Sequence, residues 1–256
     1  MTQDRENGTR KTTETSLYVL DAIDDLGGGT LSELAEFTGM ATSTLHTHLQ
    51  TLIKTEHVAK IDGEYHLGMK IFYLGERARV RDKRYELARQ TVSDLSERVA
   101  EEVTFCVEEY GRSIALFNKA NRSHEDGSQV GQYFHMHSSA SGKAMLAEYP
   151  EERVHEIADE YGLPKLTEST ITDIDELLVE LGQIRERGYA INREEEKGGL
   201  QAVAMSVHDP DGPVFGALCI IGPAYRISEP AEVADRIRPA AETLEQSLAN
   251  RVRRPS

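Results

Sequence analysis

The stretch LSELAEFTGMATSTLHTHLQTL, residues 31–52, decides how this chain is read. Thr30 just before it and Glu33 within it make the capping-box pattern that opens a helix, whose inner residues are Leu31, Leu34, Ala35 and Phe37. Gly39 allows a tight turn, and a second helix is expected from Ala41 or Thr42 to Thr55. On that helix Leu45, Leu49, Leu52 and Ile53 cluster within about 100°, the width of a core-facing stripe. Ser43, Thr47, Gln50 and Lys54 fall on the opposite side, flanked by Thr44 and His46. Two helices joined by a tight turn, the second with a polar outward face, describe a helix-turn-helix.

The flanks extend this unit. A helical period begins at Thr13, with Leu17, Leu20, Ile23 and Leu26 marking one face, and Gly27-Gly28-Gly29 stops it. Val58–Ile61, the turn pair Asp62-Gly63 and Glu64–Leu67 read as a short hairpin. Three helices and a hairpin over 13–68 predict a winged helix-turn-helix domain. Before it, the polar arm 1–12 is expected to be disordered; after it, 69–84 carries a connecting helix with Ile71, Leu74 and Ala78 on one side. Residues 85–254 then alternate helical and β-rich runs. A helix over about 85–100 precedes strands at 103–109, 113–118 and 132–137. Helices follow at about 141–148, 151–161 and 173–187, then strands at 189–193, 202–207 and 214–221. Pro210-Asp211-Gly212 pairs the last two strands as a hairpin, and a helix from about Pro230 to Val252 ends the pattern. The fold class is α+β, a largely antiparallel sheet with helices on one side.

Charge poses a problem for the outward stripe. The formal net charge is −15, and between Gly39 and Leu52 there is no Lys or Arg. Residues 1–85 carry a net −2 and residues 86–256 a net −13, so the first part is only less acidic. Lys is scarce, 9 against 20 Arg and 44 Asp plus Glu, which suits a cytoplasm of very high salt where carboxylate repulsion is screened. In such salt the counterion term behind Lys and Arg contacts to DNA fades. Hydroxyl, amide and imidazole groups must then read base edges, Gln being suited to adenine and Thr to the thymine methyl. Candidate DNA contacts are therefore Thr30, Ser43, Thr44, His46, Thr47, Gln50 and Lys54. Lys60, Lys70, Arg10 and Lys11 are candidates for phosphate, and Tyr65 or His66 on the wing for the backbone. The competing reading is a solvated face on a three-helix unit that serves protein contacts, leaving a small-molecule sensor without direct DNA binding.

Cys106 and Cys219, without CxxC spacing, are expected as reduced, buried thiols. The N-terminal segment has no apolar signal core and no run reaches the 18 apolar residues of a membrane span, so a soluble, cytoplasmic protein is expected.

With both parts in view, the chain resembles the IclR (isocitrate lyase regulator) family of transcription factors. The residues that carry this are 31–52, YHLG at 65–68, HSSASGKAMLA at 137–147, LTESTIT at 166–172, IRERGYAINREEEKGGLQAVA at 184–204 and FGALCIIGP at 215–223. The resemblance implies a GAF-like effector domain after the linker helix and a homodimer or homotetramer on palindromic double-stranded DNA. It also implies a small, often anionic metabolite as effector, and control of catabolic genes by repression or activation; separately, no Ser-His-Asp or Cys-His arrangement is supported by motif, so no enzyme and no cofactor are expected. Carried over residue by residue, the effector pocket is Phe134, Ala140, Ser141, Asn192, Ala202, Cys219 and Ile221. Ala140 and Ser141 would open a helix whose backbone N–H groups hold a carboxylate, and Asn192 would both donate and accept. Two departures stand out: Thr42 and Thr47 occupy places where many relatives are basic, and Gly199-Leu200-Gln201-Ala202 replaces the family's frequent Gly-Leu-Arg-Cys.

Three patterns are weighed against function. Ser141-Gly142-Lys143-Ala144 lacks the early Gly and the Ser/Thr of a phosphate-binding loop, so Lys143 is read as a surface or helix-end cation. His135 and His137, with His124, His208 or Cys219, have metal-compatible spacing, but paired strand histidines are ordinarily edge residues and no metal is expected. Glu194-Glu195-Glu196 is read as a solvated charge run rather than an acid–base pair.

Overall fold

A computed structural model describes residues 9–120, 129–210, 212, 214–227 and 229–252. The chain divides into two compact units between Arg81 and Asp82.

The first unit contains α1 (Lys11–Leu26), α2 (Leu31–Thr38), α3 (Thr42–Lys54), β1 (Val58–Ile61), β2 (Glu64–Leu67) and α4 (Met69–Arg79). Thr30 caps α2 by the reciprocal box with Glu33, as its sequence demands. The hairpin turn places Asp62 and Gly63 both at positive φ, the conformation a two-residue loop needs to follow the strand twist. Paired backbone bonds between Gly29 and Tyr65 fasten the hairpin to the α1–α2 connection. Gly28 is required there: it has φ +108°, and a Cβ would lie 2.3 Å from the His66 ring.

Several expectations in this unit need correction. Lys11 and Thr12, expected in the disordered arm, begin α1, while residues 1–8 of that arm lie outside the described residues. The buried face of α1 is Val19, Ala22 and Ile23, whereas Leu17 is 56% exposed and Leu26 39%. A strict three-residue spacing slips back about 60° per step on a helix of 3.6 residues per turn, so Leu17 and Leu26 end on opposite sides. Phe37, expected inside α2, is 48% exposed. On α4 no residue is buried, and Leu74 faces out.

The second unit contains α5 (Tyr85–Ser96), β3 (Glu102–Glu109), β4 (Arg112–Lys119), β5 (Tyr133–His135), α6 (Ala140–Leu146), α7 (Glu151–Tyr161), α8 (Ile174–Arg187), β6 (Ala190–Arg193), β7 (Leu200–His208), β8 (Val214–Pro223) and α9 (Pro230–Val252), with one 3-10 turn at Ala224–Arg226. One six-stranded sheet has the order β5-β4-β3-β8-β7-β6, every neighbour antiparallel. β7 and β8 pair as the turn signal implied, although Asp211 of that turn lies outside the described residues.

Helices cover both faces of this sheet, not one. Along β7, Val203, Met205 and Val207 join α5 and α9 in one cluster, while the alternating Ala202 and Ala204 join α6 and α8 in another. A strand buried on both sides reads as a continuous apolar run, which hides the second layer from an alternation test. The two faces differ in bulk. The α5/α9 face carries Phe105, Leu218 and Ile220; the α6 face carries Ala202, Ala204, Ala217 and Cys219. Small side chains on that second face leave space between sheet and helix.

Candidate DNA interface and small-molecule cavity

Helix α3 turns Leu45, Leu49 and Leu52 into the core and leaves Ser43, Thr44, His46, Thr47, Gln50 and Lys54 exposed. The Thr47 hydroxyl donates to the Ser43 carbonyl at 3.0 Å, so its methyl and its acceptor lone pairs remain for a partner. Gln50 and His46 lie 3.4 Å apart along the same stripe and can act together. Lys60 is exposed on the wing, its ammonium 4.9 Å from the centre of the Tyr65 ring, while Lys70 donates to the Thr55 carbonyl at 3.0 Å. Arg10 and Lys11 are exposed at the start of α1.

Two of the sequence candidates are withdrawn. Tyr65 is 1% exposed: on the four-residue strand β2 its side chain alternates inward, into the cluster with Leu45 and Leu49, and cannot reach a DNA backbone. Thr30 gives both its backbone N–H (2.8 Å) and its hydroxyl (2.7 Å) to the Glu33 carboxylate. No donor is left for a phosphate, and an anion already occupies the place; Thr30 is a helix cap. His66 is half-buried against Gly28 and 3.5 Å from Glu64.

In the second unit the small-residue face opens into a cavity of ≈ 380 Å³. Phe134, Ala140, Ser141, Asn192, Ala202, Cys219 and Ile221 all line it. The strand register explains this: Asn192 pairs with Ala202, and Ala202 with Ile221, which sets three wall residues in one row. The carry-over missed further lining residues, notably Cys106, Gln129, Gln132, Ser139, Glu196 and Gln201. Cys106 could have been found, because its strand pairs with β8 and its thiol falls on the same face as Cys219. Burial pushes the Cys106 thiol up to about 11 and raises that of Cys219 as well, so both are neutral, unreactive wall groups. Burial also raises the Glu196 carboxyl, against the pull of Lys197.

Asn192 is more restricted than its composition implies. It is buried, and its Oδ1 accepts the Glu195 backbone N–H at 2.7 Å. A backbone N–H only donates, so the oxygen must face it and the NH2 group is turned the other way. The expectation that Asn192 offers both a donor and an acceptor is narrowed: its oxygen is already engaged by the chain, while its NH2 group meets no acceptor among the described residues.

Beside this wall lies a buried ion pair that was not legible as one. Lys143 on α6, expected at the surface, is 1% exposed and holds both carboxylate oxygens of Glu195, at 2.6 and 2.5 Å. Glu195, expected in a solvated run, is 5% exposed. Glu180 approaches Lys143 at 3.9 Å and binds Arg187 at 2.7 Å, which completes an alternating row of charges. Burial pulls the Lys143 pKa down, while the Glu195 and Glu180 carboxylates oppose it. A signal for the burial of Lys143, though not for its partner, was available: it is the one charge in Ser138–Ala147, amid residues that otherwise pack.

Elsewhere His135 and His137 sit with ring centres 5.5 Å apart, and burial pulls His137 down to about 4. Among the described residues no group of three His, Cys, Asp or Glu side chains is placed to hold a metal ion, and His124 lies outside them. No helix among them is long and apolar enough to cross a membrane.

A winged helix that presents polar side chains, encoded with a sheet domain that encloses a small-molecule-sized cavity, defines a class: the ligand-responsive DNA-binding transcriptional regulators. Comparison with known proteins makes the assignment specific. Residues 14–60 match the IclR helix-turn-helix domain and residues 82–246 the bacterial transcriptional regulator IclR C-terminal domain. The chain belongs to the IclR family. It is 32% identical to the HTH-type transcriptional regulator KdgR of Escherichia coli, over 82% of this chain and 81% of that one. It is 28% identical to the probable HTH-type transcriptional regulator ArcR of Halobacterium salinarum, over 91% and 92%. The crystal structure of Thermotoga maritima IclR superposes with a TM-score of 0.74 at 26% identity, covering 93% of this chain and 98% of that one.

Proposed function

We propose that this regulator reads a two-fold operator as a homodimer or homotetramer. Ser43, Thr44, His46, Thr47 and Gln50 contact bases, and Lys54 and Lys60 contact phosphates. A small metabolite in the ≈ 380 Å³ cavity sets its DNA affinity. The observation that carries the reading is the pairing of an exposed, almost uncharged reading helix with a cavity whose polar wall groups are amides, hydroxyls, two thiols, the Glu196 carboxyl and the Lys197 ammonium. Such a wall suits a small polyhydroxy acid, so genes for pentose or other carbon-source catabolism are the first assignment and amino-acid breakdown the second. The scarcity of Lys and the acidic surface fit a halophilic host.

In this mechanism the occupied and empty cavities favour different spacings of two reading helices, transmitted through residues 69–81. Half-sites about one DNA turn apart then bind well or badly according to that spacing. A ligand shifts the balance only by its differential affinity for the two arrangements. The test is footprinting of the DNA upstream of the gene and its neighbours, with and without D-xylonate, D-gluconate and L-glutamate. The Ser43→Ala/Thr47→Ala/Gln50→Ala variant is expected to lose at least tenfold in operator affinity. Equal binding by parent and variant would remove the reading helix from the assignment.

A further inference from the structure

The turn between β6 and β7 forms one wall of the cavity, and it is held from behind. Thr167 donates to the Glu194 carbonyl at 2.7 Å and Thr170 to the Glu195 carbonyl at 2.6 Å. The Glu195 side chain reaches into the protein, away from its neighbour Glu196, which lines the cavity. There it accepts from Lys143 through both oxygens and from the Arg193 backbone N–H at 3.2 Å. The Glu195 N–H in turn holds Asn192 Oδ1. A single residue thus joins a buried cation on α6 to the amide that faces the ligand space.

We infer that the buried Lys143–Glu195 ion pair is a positioning device for effector recognition: it locks Glu195 so that Asn192 turns only its NH2 group to the cavity, which then selects ligands offering an acceptor oxygen, carboxylate or carbonyl, at that wall. Stability alone is a poor reason for such a pair. A buried ion pair replaced by apolar groups of similar volume is often neutral or more stable. What apolar groups cannot supply is the acceptor for the Arg193 N–H and the fixed path of the turn. Lys143 and Glu195 touch no ligand in this scheme; they act through Asn192. The inference rests on the cavity being the effector site.

The test uses full-length Lys143→Met/Glu195→Leu, which removes both charges at near-constant volume, beside the parent and Asn192→Ala. Three quantities are compared: the melting temperature, amide hydrogen exchange at positions 193 and 195, and calorimetric binding of D-gluconate, pyruvate and putrescine. The double variant is expected to melt within a few degrees of the parent. Its exchange at 193 and 195 is expected to rise at least tenfold, and any gluconate or pyruvate binding to weaken at least tenfold, matching Asn192→Ala. Putrescine, which brings donors only, is expected not to bind. Exchange within twofold of the parent in the double variant overturns the inference, as does putrescine binding in preference to the acids. If the double variant does not fold, Glu195→Gln, which keeps the oxygen for Arg193 but weakens the hold on Lys143, is read by the same exchange measurement. The exchange arm needs no ligand. Failure of all three compounds against the parent would therefore count against the effector reading, while the exchange still decides the positioning role.

Discussion

The salt dependence of DNA binding follows from the reading helix and can be worked out. In α3 and the wing the exposed cations are Lys54 and Lys60; Lys70, on α4, is drawn to the Thr55 carbonyl and lies 3.9 Å from Glu56. Two phosphate contacts per half-site make about four for a dimer. Each contributes about −0.9 to the slope of log affinity against log salt, so a slope of about −3.6 is expected. Between 50 and 200 mM KCl that is a loss of about 150-fold, against the roughly 10³–10⁵ of proteins making 6–10 contacts. The assay is fluorescence anisotropy on a labelled duplex from the upstream region, titrated across that range and on into molar salt. Lys54→Ala removes two contacts from the dimer and should flatten the slope by about 1.8. A parent slope steeper than about −7 would refute the account, because it would need cations beyond α3 and the wing, with Arg10 and Lys11 as the first suspects.

Three further outcomes are expected. Tyr65→Phe should leave DNA affinity within twofold, since the ring is core; Tyr65→Ala should destabilise the first unit by roughly 3–5 kcal/mol in denaturant melts, the usual range for a large aromatic lost from a core. His208 is held between Glu245 (2.9 Å) and Glu148 (3.3 Å), and although burial opposes its charge, the two carboxylates raise its pKa above the ordinary value of 6.5. A raised folded pKa gives stability that is complete below the unfolded pKa and fades as pH climbs through the folded one. The melting temperature of the parent should therefore fall relative to His208→Gln as pH rises above 6.5, and parallel curves for the two would sink the claim. Ala202→Leu should put its extra carbons into the cavity, abolishing small-molecule binding with little change in melting temperature; a drop typical of an overpacked core, about 1–3 kcal/mol, would mean the space is not there.

What was legible in the sequence followed from strong local rules. The capping box at Thr30 and Glu33, the Asp62-Gly63 turn and the stripe of Leu45, Leu49 and Leu52 each fix a backbone state from a few neighbouring residues, and the winged helix follows from them. The seven cavity residues came from resemblance, and the strand register supplies the physical reason for Asn192, Ala202, Cys219 and Ile221. Where the reading failed, the deciding partner lay far along the chain. Nothing near Lys143 announces Glu195, 52 residues away, and nothing in β2 says which of Tyr65 and His66 turns inward until the Gly29 bridge is formed. Leu17, Phe37 and Leu74 were assigned to faces by spacing, yet each is exposed in the single chain.

The same division explains why the cavity exists at all. A sheet covered on both faces needs apolar residues at every position, and periodicity cannot say which face will pack tightly. Here the difference is one of volume: Val203, Met205, Leu218 and Ile220 fill the α5/α9 side, while Ala202, Ala204, Ala217 and Cys219 leave the α6 side short of atoms. Close packing would ordinarily punish such a deficit. Polar groups on the walls, among them Ser141, Asn192 and Glu196, make the space fit for a hydrated or liganded interior rather than collapse. Alternating large and small residues along β7 and β8 therefore encode both faces of the sheet at once, a filled back layer and a front layer with room for a molecule.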